Sequence, residues 1–134
     1  MKIETVNHSD RYSLEQISSL FFSNDSDVSI VSEYIESDKE IKTIAEIKGK
    51  TASASYEADA VDMKKFRNSV KKSAYLALKK ISDNNTPWGI LTGIRPTKFI
   101  RELHGNMSYE ELLLLLTEDY WVEKEKAAFC IDVA

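Results

Sequence analysis

The sequence predicts an α+β fold: a four-stranded sheet in the order β-α-β-β-β-α with both longer helices on one face, followed by a C-terminal segment of three short helices. Three observations lead there. Polar–apolar alternation and β-branched runs recur in the first part of the chain, the signature of half-buried strands. Two stretches, 13–23 and 62–82, place apolar residues at three-four spacing, the signature of helices lying on a core. Past Pro87 the alternation stops, and proline, glycine and serine caps divide the chain into short helical pieces.

Taken in order, Lys2–Val6 alternates and reads as a first strand with Ile3 inward. Ser13-Leu14-Glu15-Gln16 has the pattern of a capping box, and Leu14, Ile17, Leu20 and Phe21 then share a helical face. Asn24 to Asp27 supply turn residues. Val28–Ile35 is β-branched and aromatic, a second strand. Ile41–Lys48 and Lys50–Ala58 flank Gly49 as a hairpin with Lys48-Gly49-Lys50 at its tip. Ile41, Thr43, Ala45 and Ile47 share one face of the first arm, and Ala52, Ala54, Tyr56 and Ala58 one face of the second; the small side chains predict a helix packed close against them. That helix starts near Asp62 and runs to about Ser82, with Met63, Phe66, Val70, Ala74, Ala77 and Ile81 as its core stripe. Asp83 to Pro87 stop it. Pro96 suits a first helical position and Gly105 a C-terminal cap, which predicts a helix over Thr97–His104. Ser108-Tyr109-Glu110-Glu111 is a second capping box, opening Tyr109–Leu116, and Glu123–Val133 reads as the last helix. The chain stops at Ala134 inside that pattern, without a cap, as a truncated sequence would.

Composition narrows the function classes. With 134 residues, 43% apolar and 30% charged, the chain fits an ordinary globular domain. A net charge of −4 makes no global case for nucleic-acid binding. The longest apolar run, Leu112–Leu116, falls far short of the about 18 residues of a membrane span, and Met1 to Thr5 do not resemble a signal peptide. Cys130 is the only cysteine, so an internal disulfide is impossible and a reducing, cytoplasmic home is expected. With one thiol and two histidines, His8 and His104, neither an iron–sulfur cluster nor a conventional zinc site is expected from this chain alone. Cys130 lies among Ala127, Phe129 and Ile131 and reads as a buried, inert thiol. No acid pair is set apart for acid–base work, and no residue is assigned a catalytic role.

The most specific stretch is Pro87-Trp88-Gly89-Ile90-Leu91-Thr92-Gly93-Ile94-Arg95-Pro96-Thr97-Lys98. Glycine admits backbone angles that other residues avoid, and proline fixes its own φ and restricts the residue before it. A run so constrained needs one particular loop shape. Trp88, Thr92, Gly93, Arg95, Pro96, Lys98 and Arg101 are the candidate contact residues. Lys98 and Arg101 share a helix face with Arg95 at its start, an arrangement suited to an anion, to a partner domain, or to tying the loop down through carbonyls. Trp88 reads as buried in the core or at a domain interface. Thr92-Gly93 lacks the spacing of a phosphate-binding loop.

This stretch resembles the region ahead of the catalytic domain in HemZ-type coproporphyrinogen dehydrogenases, the oxygen-independent coproporphyrinogen III oxidase-like proteins of the radical SAM class. The resemblance is sharpest at 87–98 and looser over the whole chain, to Cys130-Ile131-Asp132-Val133-Ala134. The cluster-binding Cys-x-x-x-Cys-x-x-Cys of that family is absent. The resemblance implies a sheet domain at 1–86, then a motif loop and helical segment at 87–134 that packs on it and leads to a catalytic domain not contained in the sequence. It implies a parent protein of cytoplasmic porphyrin biosynthesis that binds a [4Fe–4S] cluster and S-adenosylmethionine. The present chain would hold neither; its partner would be that catalytic domain, with a porphyrinogen substrate possible only in the parent.

A second reading comes from the long helix. It bears Lys64, Lys65, Arg67, Lys71, Lys72, Lys79 and Lys80, with Lys64, Lys71, Lys72 and Lys79 on one side. Such a face suits a small RNA- or protein-binding module. A solvated outer surface is the plainer reading, because no aromatic side chains are interleaved on the same face for stacking on bases.

Overall fold

The first strand, β1 (Lys2–Val6), leads into α1 (Arg11–Phe21) and back into β2 (Ser29–Ile35), which lies parallel to β1 with Ile3 opposite Ile30. A short helix over the sheet lets two neighbouring strands run in the same direction. From β2 the chain turns into β3 (Glu40–Ile47) and then β4 (Lys50–Glu57), each antiparallel to its predecessor. The strand order is therefore β1-β2-β3-β4, which the sequence did not fix. Next comes α2 (Met63–Lys79), then α3 (Pro96–Leu103), α4 (Tyr109–Leu114) continued by a π-helical stretch Leu115–Asp119, and α5 (Lys124–Val133). The fold is the expected mixed α+β class, with helices on one face of a four-stranded sheet. This computed structural model describes residues 1–134 except Asn24, Asn85, Gly93, Ile94, His104 and Ala134. The expectations resting on those six (the turn at Asn24, part of the stop after α2, Gly93 in the motif, the helix end at His104, the terminus at Ala134) lie outside the described residues. By its internal contacts the chain divides into two units, Met1–Asn84 and Asn85–Ala134.

In the first unit, α1 and α2 cover the sheet face bearing Ile3, Ile30, Ser32, Ile41, Thr43, Ala45 and Ala52, all buried. The helices contribute Leu14, Ile17, Phe21, Val70, Ala74, Ala77 and Leu78. Small residues face small residues where α2 meets β3 and β4, so the helix comes close enough for hydroxyls to bond across the layer. Thr43 Oγ1 lies 2.8 Å from Ser73 Oγ and 3.5 Å from Ser32 Oγ, and all three residues are fully buried. Ser32 Oγ in turn lies 3.0 Å from His8 Nε2. The Asp10 backbone N–H donates to His8 Nδ1 at 3.1 Å, so a neutral His8 carries its proton on Nε2 and donates it to Ser32. This seam is how a sheet interior holds four polar side chains without leaving them unpaired.

Four expectations need correction. The cap of α1 is Asp10, whose side chain accepts from the Ser13 N–H; Ser13 lies inside the helix and is buried, because β1 ends early enough for the helix to start at Arg11. Phe66 is half-buried, not buried, and Met63 is 62% exposed, because the first turn of α2 overhangs the sheet. Gly105 has no left-handed φ and so is not the expected cap of that type. The fourth helix is shorter than predicted, since its last turn widens into the π-helical stretch. Asp62, by contrast, caps α2 as expected, accepting from the Lys64 and Lys65 N–H groups, and Ser108 with Glu111 forms the expected capping box of α4.

Both open edges of the sheet bear a cation. The Lys2 N–H donates to Val28 O, so the neighbouring carbonyl of Ile3 points away from β2, and there it accepts from Arg11 Nη1 at 2.7 Å. On the other side, Ala58 N–H donates to Lys39 O. Counting along the ladder from that bond leaves the carbonyls of Ser53 and Glu57 pointing outward from β4. Lys80 Nζ covers Ser53 O at 2.7 Å, and Ser69 Oγ covers Glu57 O at 2.6 Å. Edge carbonyls left open would template further strands.

Candidate functional site

The motif opens the second unit. Gly89 N–H donates to Thr86 O and Leu91 N–H to Trp88 O, both at 3.0 Å, so residues 86–91 form consecutive tight turns. Two further backbone bonds clasp this turn to the segment after the π-helical stretch: Ile90 N–H to Tyr120 O at 2.9 Å, and Glu123 N–H to Pro87 O at 2.8 Å. The π-helical bond, Tyr120 N–H to Leu115 O, delivers that segment, and Trp121 adopts a left-handed φ of 59°. Gly89 also has a left-handed φ, of 56°. A Cβ on Gly89 would run into the carbonyls of Tyr120 and Trp121. Glycine is thus required there twice, for its backbone angle and for the close approach. Ile90, Leu91, Ile100, Leu112, Leu116, Tyr120, Val122, Ala127, Cys130 and Ile131 are buried, and Phe99 meets Tyr120 edge-on at 5.3 Å between ring centres.

The candidate contact residues divide around this clasp. Trp88 is half-buried beside Gly89, and Thr92 is half-buried. Pro96 is the first residue of α3, where its missing N–H is of no consequence. Arg95 directly precedes it, and its carbonyl accepts from the Phe99 N–H at 3.1 Å. The side chains of Arg95, Lys98 and Arg101 are exposed, and among the described residues no hydrogen bond or ion pair engages them. The structure therefore brings three cations to the start and outer side of one short helix. Gly93 lies outside the described residues.

Sequence reasoning missed the other half of the clasp, Tyr120-Trp121-Val122. Its signal was present only as a second tryptophan in a stretch with neither helical nor strand period. Cys130 is buried, and burial pushes its thiol up, which keeps it protonated and unreactive near neutrality. Among the described residues no three histidine, cysteine, aspartate or glutamate side chains gather as a metal site, and no helix is long and apolar enough to cross a membrane.

The basic helix is partly occupied by its own unit. Lys72 Nζ lies 4.9 Å from the centre of the Tyr56 ring and 3.3 Å from its hydroxyl; Lys79 Nζ lies 5.6 Å from the centre of the Tyr75 ring; Lys80 caps β4. Burial lowers the Lys71 ammonium from its ordinary value, although Asp10 opposes that shift.

No protein-family model matches the chain, and no solved structure matches it. It is similar to a protein of the oxygen-independent coproporphyrinogen-III oxidase-like class. That relative is HemZ of Bacillus subtilis (strain 168), 28% identical over 145 aligned residues that cover 94% of this chain and 29% of HemZ. The chain thus spans less than a third of that relative's length, and the similarity is consistent with the N-terminal region of a HemZ-type protein.

Proposed function

We propose that the chain serves as a non-catalytic accessory domain of a HemZ-like radical SAM protein of porphyrin biosynthesis in the cytoplasm, docking on or orienting a catalytic domain. The observation that carries this reading is the similarity to HemZ, which covers nearly all of this chain and a minor share of that protein. The donor set agrees with an accessory role. A [4Fe–4S] cluster with S-adenosylmethionine needs several thiolates, and Cys130 is one buried thiol, so both groups would belong to a catalytic region outside Met1–Ala134. The exposed cations Arg95, Lys98 and Arg101, at the start and on the outer side of α3, provide a polar contact for such a domain. Phe129 and Val133, one helical turn apart on α5 and 64% and 49% exposed, add apolar area of the kind that interfaces bury.

Arg95→Ala tests the docking role. The expected outcome is a stability change within about 0.5 kcal/mol in the 134-residue chain, with lower turnover or weaker substrate binding in the full protein. A chain that melts well below wild type would assign Arg95 an internal role instead, and no change in either assay would remove it from the site. The RNA-binding reading predicts affinity that falls steeply with salt, as phosphate contacts release counterions. The lysines already engaged within the first unit speak against it.

A further inference from the structure

The two edges of the sheet are covered unequally. On β4, Lys80 and Ser69 hold the outward carbonyls of Ser53 and Glu57. On β1, alternate residues of the parallel ladder face β2, and Lys2 is one of them. The N–H and carbonyl groups of Ile3 and Thr5 therefore point outward. Arg11 Nη1 covers the Ile3 carbonyl, but among the described residues no hydrogen bond engages the Ile3 N–H or either backbone group of Thr5. The cover itself can leave: Arg11 is exposed, and its Nε pairs with Glu15 at 2.9 Å, so it keeps an ionic partner away from Ile3. A cleft of about 550 Å³ opens beside this edge, bordered by Lys2, Ile3, Glu4 and Arg11. All of it lies within Met1–Asn84 and shares no residue with the motif.

The charges on β1 complement one another across a twofold axis. Lys2 and Glu4 are exposed and flank the buried Ile3, so both lie on the sheet face away from the helices. Two copies related by a twofold axis at Ile3 run their β1 strands antiparallel, with Ile3 opposite Ile3. Each Ile3 N–H then donates to the Ile3 carbonyl of the other copy. In that register Lys2 of each copy stands directly opposite Glu4 of the other. Neighbouring registers lose this match. Centring on Glu4 sets two carboxylates opposite each other, and centring on Thr5 sets Glu4 opposite Val6. The other edge has no such pattern, since β4 carries charge only at its ends, Lys50 and Glu57.

We propose that β1 is a pairing edge for a second copy of this chain, joining the two sheets through an antiparallel strand pair centred on Ile3. Main-chain bonds supply the attraction, as in other cases of strand addition, and the paired Lys2 and Glu4 side chains set the register. Arg11 competes with the second copy. It holds the Ile3 carbonyl in the single chain and yields it to the incoming N–H. The edge is only 5 residues long, which places the contact among small, weak interfaces, with a Kd on the order of 100 μM.

Sedimentation equilibrium of the 134-residue chain, taken up to about 1 mM, tests this. Lys2→Glu sets carboxylates opposite Glu4, and Glu4→Lys sets ammonium groups opposite Lys2. Each should weaken dimerisation about tenfold. The chain carries a net charge of −4, so reduced repulsion alone would make Glu4→Lys pair more tightly, and its weakening singles out the register. Both substitutions in one chain should restore wild-type affinity, and so should an equal mixture of the two single variants. Arg11→Ala, which strips the cover from the Ile3 carbonyl, should tighten the dimer. Amide exchange at Ile3 and Thr5 should slow as concentration rises, while Glu4, which faces β2, should not change. A chain that stays monomeric, single variants that pair as wild type does, or a double variant that fails to recover would overturn the assignment. So would an Arg11→Ala chain that pairs no more tightly, or exchange at Ile3 and Thr5 that ignores concentration.

Discussion

Gly49 and Gly89 both hold left-handed backbones, at φ 81° and 56°, in opposite surroundings. Gly49 sits with Lys48, itself at φ 50°, in the two-residue turn between β3 and β4, where Ile47 pairs with Lys50. A two-residue hairpin loop with both φ values positive matches the twist of its strands. Nothing stands within 4 Å of the place a side chain on Gly49 would occupy. Gly89 meets the same backbone demand, but the carbonyls of Tyr120 and Trp121 fill the place of its missing side chain. One glycine answers a local torsion; the other lets two distant segments touch. From sequence the two look alike, since a turn signal reports the torsion and not the neighbour.

The largest effect is expected from Gly89→Ala. The methyl group would strike two backbone carbonyls, which cannot swing aside as a side chain can, and the clasp bonds of Ile90 and Glu123 would be lost with it. A loss of at least about 3 kcal/mol in urea unfolding is expected. A loss under about 1 kcal/mol would mean that the turn at 86–91 relaxes freely and the comparison fails. Phe66→Ala ranks next, at about 2 kcal/mol. Complete burial would have given roughly 3–5 kcal/mol, but its ring is half-buried and meets the His8 and Tyr34 rings in T-shaped contacts. Gly49→Ala should cost about 1 kcal/mol through torsion alone, and Gly49→Asn less, since asparagine tolerates the left-handed region. Equal losses for Ala and Asn would show that space, not torsion, limits Gly49 after all.

The smallest effect is a pH dependence confined to the sheet unit. Burial is the main cause that lowers the His8 pKa from its ordinary value of 6.5, against the raising influence of Asp10. Below about pH 6.5 the unfolded chain takes up a proton that folded His8 resists. Stability should therefore be full above that pH, fall as pH drops through the window down to the folded pKa, and level off below it. Protonation also sets a ring N–H against the Asp10 N–H that Nδ1 now accepts. His8→Gln should remove this slope; a slope that persists would assign it to another group.

The sheet unit was legible because each element follows a period. Alternation in β3 placed Ile41, Thr43 and Ala45 inward, and three-four spacing in α2 placed Val70, Ala74 and Ala77 inward, as found. The same rule failed at Met63 and Phe66, because periodicity gives the direction a residue faces and not how far the covering layer extends. Ser13 mimicked a cap because its spacing to Gln16 fits the pattern, yet Asp10, closer to the strand, claimed the helix start. In the candidate site the constraint on residues 87–98 was legible, but its counterpart at 120–123 was not. A clasp of backbone bonds leaves no mark on side-chain pattern, and the π-helical widening that aims Tyr120 and Trp121 differs from an α-helix by one residue per turn.

The two cationic edge caps of the sheet come from helix termini. Arg11 is the first residue of α1 and Lys80 the residue that closes α2. Helix ends fray before helix middles. The loosening of a single helical turn therefore frees Ile3 O on one rim and Ser53 O on the other, well short of global unfolding, while Ser69, inside α2, still covers Glu57 O and the core remains packed. Propensity to self-associate is set by that fraying equilibrium, so clumping on warming should begin below the melting transition, with the native sheet as the sticking species.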